Sequence, residues 1–248
     1  MNILVCISRV PDTATRIVVG PDGKNIDPQG IKFVVNPYDE LAIEEGLRLR
    51  EKNGGEVTAV VVGTDAAKDV LRTALAMGVD KAVLIKGNEP DDSFYVAKNL
   101  TEYAKSISPD VIFLGRQSVD YDSRQMASAL GEMLGMPSVS VVSKLTIEDN
   151  KVTAEKDIEG GREVVEASLP CIISTQKGLN DPRYPKLPDI MKAKSKPIEE
   201  IDPVETDKKV TVLEMSMPSK QRMGTILAAE DADIDELVKL LHEEAKVI

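Results

Sequence analysis

The clearest chemistry in the chain lies in eleven consecutive residues, Gly115-Arg116-Gln117-Ser118-Val119-Asp120-Tyr121-Asp122-Ser123-Arg124-Gln125. The glycine follows a short apolar run and permits close backbone approach, while the far end opens a helical pattern over 124–134. Backbone N–H groups at a helix start, assisted by a hydroxyl and by Arg116 or Arg124, suit a phosphate. The same spacing equally suits an ordinary strand-to-helix loop in which Asp120, Asp122 or Ser123 caps the helix. It is neither a P-loop nor a GxGxxG fingerprint. Three other loops occupy comparable places beside apolar runs: 8–15, 35–40 and 63–65.

Other chemistries lack their residues. The only histidine, His242, lies on a C-terminal helical pattern far along the chain from any candidate nucleophile, so no Ser/His/Asp or Cys/His set forms. Cys6 and Cys171 each sit inside an apolar run and make no CxxC pair, so they read as buried free thiols of a reducing compartment rather than zinc ligands. Asp120 and Asp122 lack the further oxygen donors a cation needs. The acidic pairs Asp91-Asp92 and Glu243-Glu244 read as solvated faces. A formal charge of -11 and 3% aromatic residues with no tryptophan argue against nucleic acid. No apolar stretch approaches the roughly 20 residues of a spanning helix, and the first residues form a strand pattern rather than a targeting segment. A soluble protein of the bacterial cytoplasm is expected.

The elements that must position these loops alternate. Buried strand patterns at 2–8, 57–62, 81–85 and 111–114 are separated or followed by helical patterns at 36–52, 66–77, 93–106 and 124–134. Asn36 is placed to cap the first helix, Pro37 suits its first position, and Asn53-Gly54-Gly55 ends it. This order predicts an α/β fold: a doubly wound, mostly parallel, Rossmann-like sheet whose ligand crevice lies at the carboxyl ends of the strands. Four strand patterns without helices follow, at 138–147, 152–156, 162–167 and 171–175, with turn residues between three of them. They predict antiparallel strands added at an edge.

Beyond 175 the pattern becomes irregular, with prolines at 182, 185, 188, 197, 203 and 218, and helical periodicity returns only over 233–245. The chain therefore divides into a nucleotide-binding domain, 1–175, and an extended arm, 176–248. An arm with so few apolar residues is expected to lie on another protein.

The run AEKDIEGGREVVEASLPCIIS, residues 154–174, resembles the signature of electron transfer flavoprotein β subunits. Four more segments agree, in order: the opening strand with Arg9-Val10-Pro11-Asp12, Asn36-Pro37-Tyr38-Asp39-Glu40, RTALAMG at 72–78 and NDPRYPKLPDIMKAK at 180–194. The resemblance implies a heterodimer with an α subunit carrying a redox-active FAD. Electrons would pass from flavin dehydrogenases of the acyl-CoA type, as in fatty acid oxidation, to a quinone oxidoreductase or another acceptor, with no catalytic site on this chain. It implies AMP as a structural ligand here, or a second FAD if the protein belongs to the electron-bifurcating branch.

Carried over by position, the pocket would comprise Cys6, Asn36, Pro37, Tyr38, Asp39, Val62 and the loop from Gly115 to Met126. Backbone near Cys6 and Val62 would read the adenine, and the helix start over 123–126 would meet the phosphate. Leu187 would dock partner dehydrogenases, and Tyr38 and Thr13 would lie near the partner's FAD. Two departures fall at the phosphate end: Met126-Ala127 stands where a small residue and glycine are usual, and Arg124 replaces a neutral polar side chain. The 180–194 loop resembles the AMP branch. A stand-alone adenine-nucleotide sensor would instead form a flavin-free homodimer and leaves the proline-rich arm unexplained. A nucleotide-hydrolysing enzyme would need a phosphate-loop lysine or glycine run, which the sequence lacks.

Overall fold

The computed structural model describes residues 1–87, 92–218, 224–228 and 230–248. The chain falls into two units, Met1–Met215 and Ser216–Ile248. In the first, β1 (Asn2–Cys6) leads through the short β2 (Arg9–Pro11) and β3 (Phe33–Val35), an antiparallel pair, into α1 (Pro37–Asn53). Then come β4 (Glu56–Gly63), α2 (Lys68–Met77), β5 (Lys81–Lys86), α3 (Ser93–Ile107), β6 (Val111–Gly115) and α4 (Met126–Leu134). The chain continues with β7 (Ser138–Val142), β8 (Lys144–Glu148), β9 (Lys151–Ile158), β10 (Gly161–Ser168) and β11 (Cys171–Thr175). Finally α5 (Leu187–Ser195) and β12 (Glu199–Ile201) precede α6 (Asp231–Lys239) of the second unit.

Seven parallel strands form the central sheet in the order β12-β5-β4-β1-β6-β11-β7. Alternate side chains of β1 enter opposite cores, as buried strands require. Ile3 and Val5 join Ile43, Leu47 and Leu71 on one face, while Leu4 and Cys6 join Leu100 and Leu130 on the other. Helices α1 and α2 therefore cover one face and α3 and α4 the other, the doubly wound arrangement read from the sequence. The expected antiparallel strands are present as a separate sheet, β10-β9-β8, whose Ile147, Val152 and Ala154 enter the first core. The 138–147 run breaks at Ser143: β7 belongs to the parallel sheet, beside a register shift in β11, and β8 to the antiparallel one. Val141, at φ 63°, lies just before that break.

The 176–215 stretch departs from the irregular arm read in the sequence. Pro188 lies in the first turn of α5 and the other prolines lie outside α5 and β12, leaving room for both elements. Helix α5 packs on α2, where Arg72 donates to the carbonyls of Ala193 and Lys196 at its C-terminal end. Strand β12 pairs in parallel with β5, and Glu200 is bonded to Lys68 and Lys86. Before α5, Arg183 donates to Glu44 at 2.8 Å and to Glu51 at 2.6 Å. Burial alone would raise the Glu44 carboxyl, but the hydrogen bonds from Arg183 and Arg48 outweigh it and hold it below its ordinary value.

In the second unit the apolar residues of α6 face solvent: Ile234, Leu237 and Val238 are all exposed. Among the described residues no helix is long and apolar enough to cross a membrane.

Candidate functional site

The sheet order reverses beside β1: the chain steps outward through β4 and β5, then returns to place β6 on the other flank. Ligands of open α/β sheets bind at such a reversal, outside the carboxyl ends of the strands. A cleft of about 1000 Å³ including its mouth opens there. Cys6 ends β1 and Ser8 follows it, Val62 and Gly63 end β4, and Leu114 and Gly115 end β6. The loop after β6 adds Gln117, Ser118, Asp120, Tyr121, Ser123 and, at the start of α4, Met126.

One carboxylate holds the two flanks together. Asp39, in the first turn of α1, is only 3% exposed and lines the cleft. It accepts from the backbone N–H of Ser8 at 2.7 Å and of Gly115 at 2.9 Å, so it spans the loops after β1 and β6. Burial pushes its carboxyl up to about 7, against the lowering effect of hydrogen bonds from Asn36, Ser8 and Gly115. Asn36 is completely buried and sits at the start of α1, but it makes no side-chain cap. Its Nδ2 donates instead to the Gln117 carbonyl at 2.9 Å, a second tie between α1 and the β6 loop. Beside Asp39, burial pushes the Cys6 thiol far up, and Asp39 adds to the effect, so this thiol is protonated while it is buried.

The loop after β6 is stitched by its own side chains. Gln117, 9% exposed, accepts from Arg124 Nε at 2.8 Å and donates to Asp122. Arg116 turns away from the cleft, its guanidinium 4.9 Å from the centre of the Tyr38 ring, and Tyr38 in turn accepts from Thr175 through its carbonyl. Neither arginine is among the cleft-lining residues. None of Asp120, Asp122 and Ser123 caps α4: Gln125 occupies the capping position, and no side-chain cap bond is made. The first N–H groups of α4 are thus left for another acceptor, with Ser123 and Met126 at the cleft wall.

Of the residues singled out from the sequence, the structure brings Cys6, Asp39, Val62, Gly115, Gln117, Ser118, Asp120, Tyr121, Ser123 and Met126 to the cleft. Asn36, Pro37, Tyr38, Arg116, Val119, Asp122, Arg124 and Gln125 lie behind or beside it, several tied to lining residues by the bonds above. Sequence reasoning missed the wall formed by α3, where Asp92, Ser93, Val96 and Leu100 line the cleft. Asp92 is not a solvated acid: it is 2% exposed and caps α3 by accepting from Phe94 N–H at 2.8 Å. Its neighbour Asp91 lies outside the described residues. An Asp immediately before a helical pattern was the available signal. Leu187 is remote from this wall, at the start of α5, and 73% exposed. No cluster of His, Cys, Asp and Glu able to hold a metal occurs among the described residues.

The electron transfer flavoprotein domain matches residues 24–206. The chain is 43% identical to the electron transfer flavoprotein subunit beta of Bacillus subtilis over the full length of both. It is 40% identical to the mitochondrial subunit beta of Oryza sativa subsp. japonica, again over the full length of both. The subunit beta of Syntrophomonas wolfei is 39% identical, covering 90% of this chain and 88% of that one.

Proposed function

Since the chain belongs to the electron transfer flavoprotein β-subunit family, we propose that it pairs with an α subunit that holds FAD, binds AMP in the cleft, and relays electrons without a catalytic site of its own. The uncapped start of α4 carries this reading. Helix N–H groups without a side-chain cap, next to Ser123, supply the donors a monophosphate needs at the ligand end of a doubly wound sheet. Leu114, Cys6 and Val62 supply an apolar surface for the base. Arg124 serves the site indirectly, by fixing Gln117 and with it the loop. FAD, when bound on the partner, supplies the redox chemistry; this chain shapes that surroundings and docks the electron donor.

Docking is assigned to Leu187. It stands beside Tyr184, 93% exposed, and Met191, 58% exposed, in a segment clamped to α1 through Arg183. A protruding apolar side chain on a fixed support suits a small interface anchor for a flavin dehydrogenase. Leu187→Ala is expected to lower the rate of reduction by such a dehydrogenase about 10-fold. Its thermal unfolding should stay within about 0.5 kcal/mol of the parent, because an exposed side chain contributes little to stability. Unaltered reduction kinetics would remove Leu187 from the docking surface.

The reading is tested by co-expressing the chain with its α partner, denaturing the purified complex, and counting the released nucleotides. One FAD and one AMP per heterodimer is the expected result. Two FAD and no AMP would place the protein in the electron-bifurcating branch. A chain that captures no flavin-bearing partner would overturn the carrier function.

A further inference from the structure

Residues 202–215 have no role in the cleft described so far, yet the structure fastens them to it. After β12 the segment runs along α3, where Asn99, 2% exposed, accepts from the Val204 N–H at 2.9 Å. Farther on, Asp92 Oδ2 accepts from the N–H groups of Lys209 and Val210. The Met215 N–H then donates at 2.7 Å to the carbonyl of Gly23, in the excursion between β2 and β3. That excursion begins after β2, whose first residue, Arg9, lines the cleft and donates to Asp69 of α2, on the sheet face opposite α3. One buried carboxylate therefore has two duties. Its Oδ1 caps the helix that forms a cleft wall, and its Oδ2 holds the segment that runs on to the other side.

We propose that residues 202–215 form a strap that holds the cleft walls together, with Asp92 as the positioning residue where strap and wall meet. Releasing the strap strips Asp92 of two donors while it is buried beside the cleft. The carboxylate must then draw in water or swing outward, and either response loosens the start of α3. Strap attachment and the closure of the cleft are in this way one equilibrium. Through it, whatever handles the arm also governs how firmly the cleft keeps its ligand.

The thiol of Cys6, on the cleft wall and 5% exposed, reports opening without any ligand. The full chain carrying Cys171→Ala leaves Cys6 as the sole thiol. Lys209→Pro removes one strap donor and leaves α3 and its cap intact, whereas Lys209→Ala keeps the backbone N–H. The rate of Cys6 labelling by a thiol-reactive disulfide is expected to rise about 10-fold in Lys209→Pro and to stay within twofold in Lys209→Ala. Asn99→Ala, which acts on the strap away from the cleft, is expected to raise it about threefold. Hydrogen exchange at the Val204 and Val210 amides reads strap release in parallel. Faster exchange with unchanged labelling would overturn the proposal, and so would unchanged exchange in Lys209→Pro. Neither readout involves a nucleotide, so the strap stands or falls separately from the identity of the ligand.

Discussion

Replacing Gly115 with alanine is expected to destabilise the protein by about 3 kcal/mol and to strip the complex of the nucleotide proposed for the cleft. An added Cβ would lie 2.4 Å from Asp39 Oδ1, 2.7 Å from Tyr38 Cβ and 2.8 Å from the Tyr38 carbonyl carbon. The two Tyr38 atoms are part of, or directly attached to, the backbone of the first turn of α1 and cannot swing aside as a side-chain tip would. That turn is also held from both ends, by the Asn36 bond to the Gln117 carbonyl and by the Thr175 hydroxyl on the Tyr38 carbonyl. The strain therefore goes into separating α1 from β6, which breaks the 2.9 Å bond from Gly115 N–H to Asp39. Urea unfolding measures the loss, and nucleotide analysis of the purified complex measures the emptying. Stability within about 0.5 kcal/mol of the parent would mean that α1 is free to retreat.

Asp39→Asn should cost nearly as much, and by an amount that depends on pH. The carboxyl group accepts one buried backbone N–H on each of its two oxygens. An asparagine offers one oxygen and turns an NH2 toward the second donor, a cost of about 1–3 kcal/mol. In the folded protein this carboxyl titrates at about 7, against about 3.9 for an unfolded aspartate. The folded state thus holds the proton more tightly. Its stabilising effect is complete below about pH 4 and is lost as pH rises through 7. Asparagine has no such slope. The stability gap between parent and variant should be widest at about pH 4 and narrow steadily toward pH 8, by roughly 3 kcal/mol. Urea unfolding at four pH values gives the gap directly. A gap that stays constant would show that the two N–H donors fully compensate the burial of Asp39.

Most of the parallel sheet was legible because buried strands advertise themselves. The run from Val57 to Val62 has no polar residue except Thr58, and all six positions are buried. The helix starting at Pro37 and ending at Asn53 was legible from its punctuation. What escaped was structure set by partners distant in sequence. Nothing local in Glu199-Glu200-Ile201 says strand; it becomes one because β5 offers an unpaired edge. Likewise α5 is a nine-residue helix that depends on Arg72 to meet its last carbonyls. The same limit applies at the cleft. The loops after β1, β4 and β6 could be placed by the rule for open sheets, but Asn36 looked like a helix cap and is a bridge. Asp92 looked solvated and is buried, because residues more than a hundred positions later come back to bond it.

The order of strands in the sheet also has a bearing on how the chain is made. Strand β11 inserts between β6 and β7, both of which precede it in sequence, and β12 closes the far flank beside β5. A nascent chain that has emerged as far as β7 cannot yet join it to β6, since the strand between them does not exist. The β5 edge stays uncovered until residue 201 has appeared. Exposed edges of apolar parallel strands are templates for pairing with other chains. The first four βα units therefore emerge into a period in which both flanks of their sheet are unprotected, and its end is set by the arrival of the last short strand rather than by the completion of the cleft.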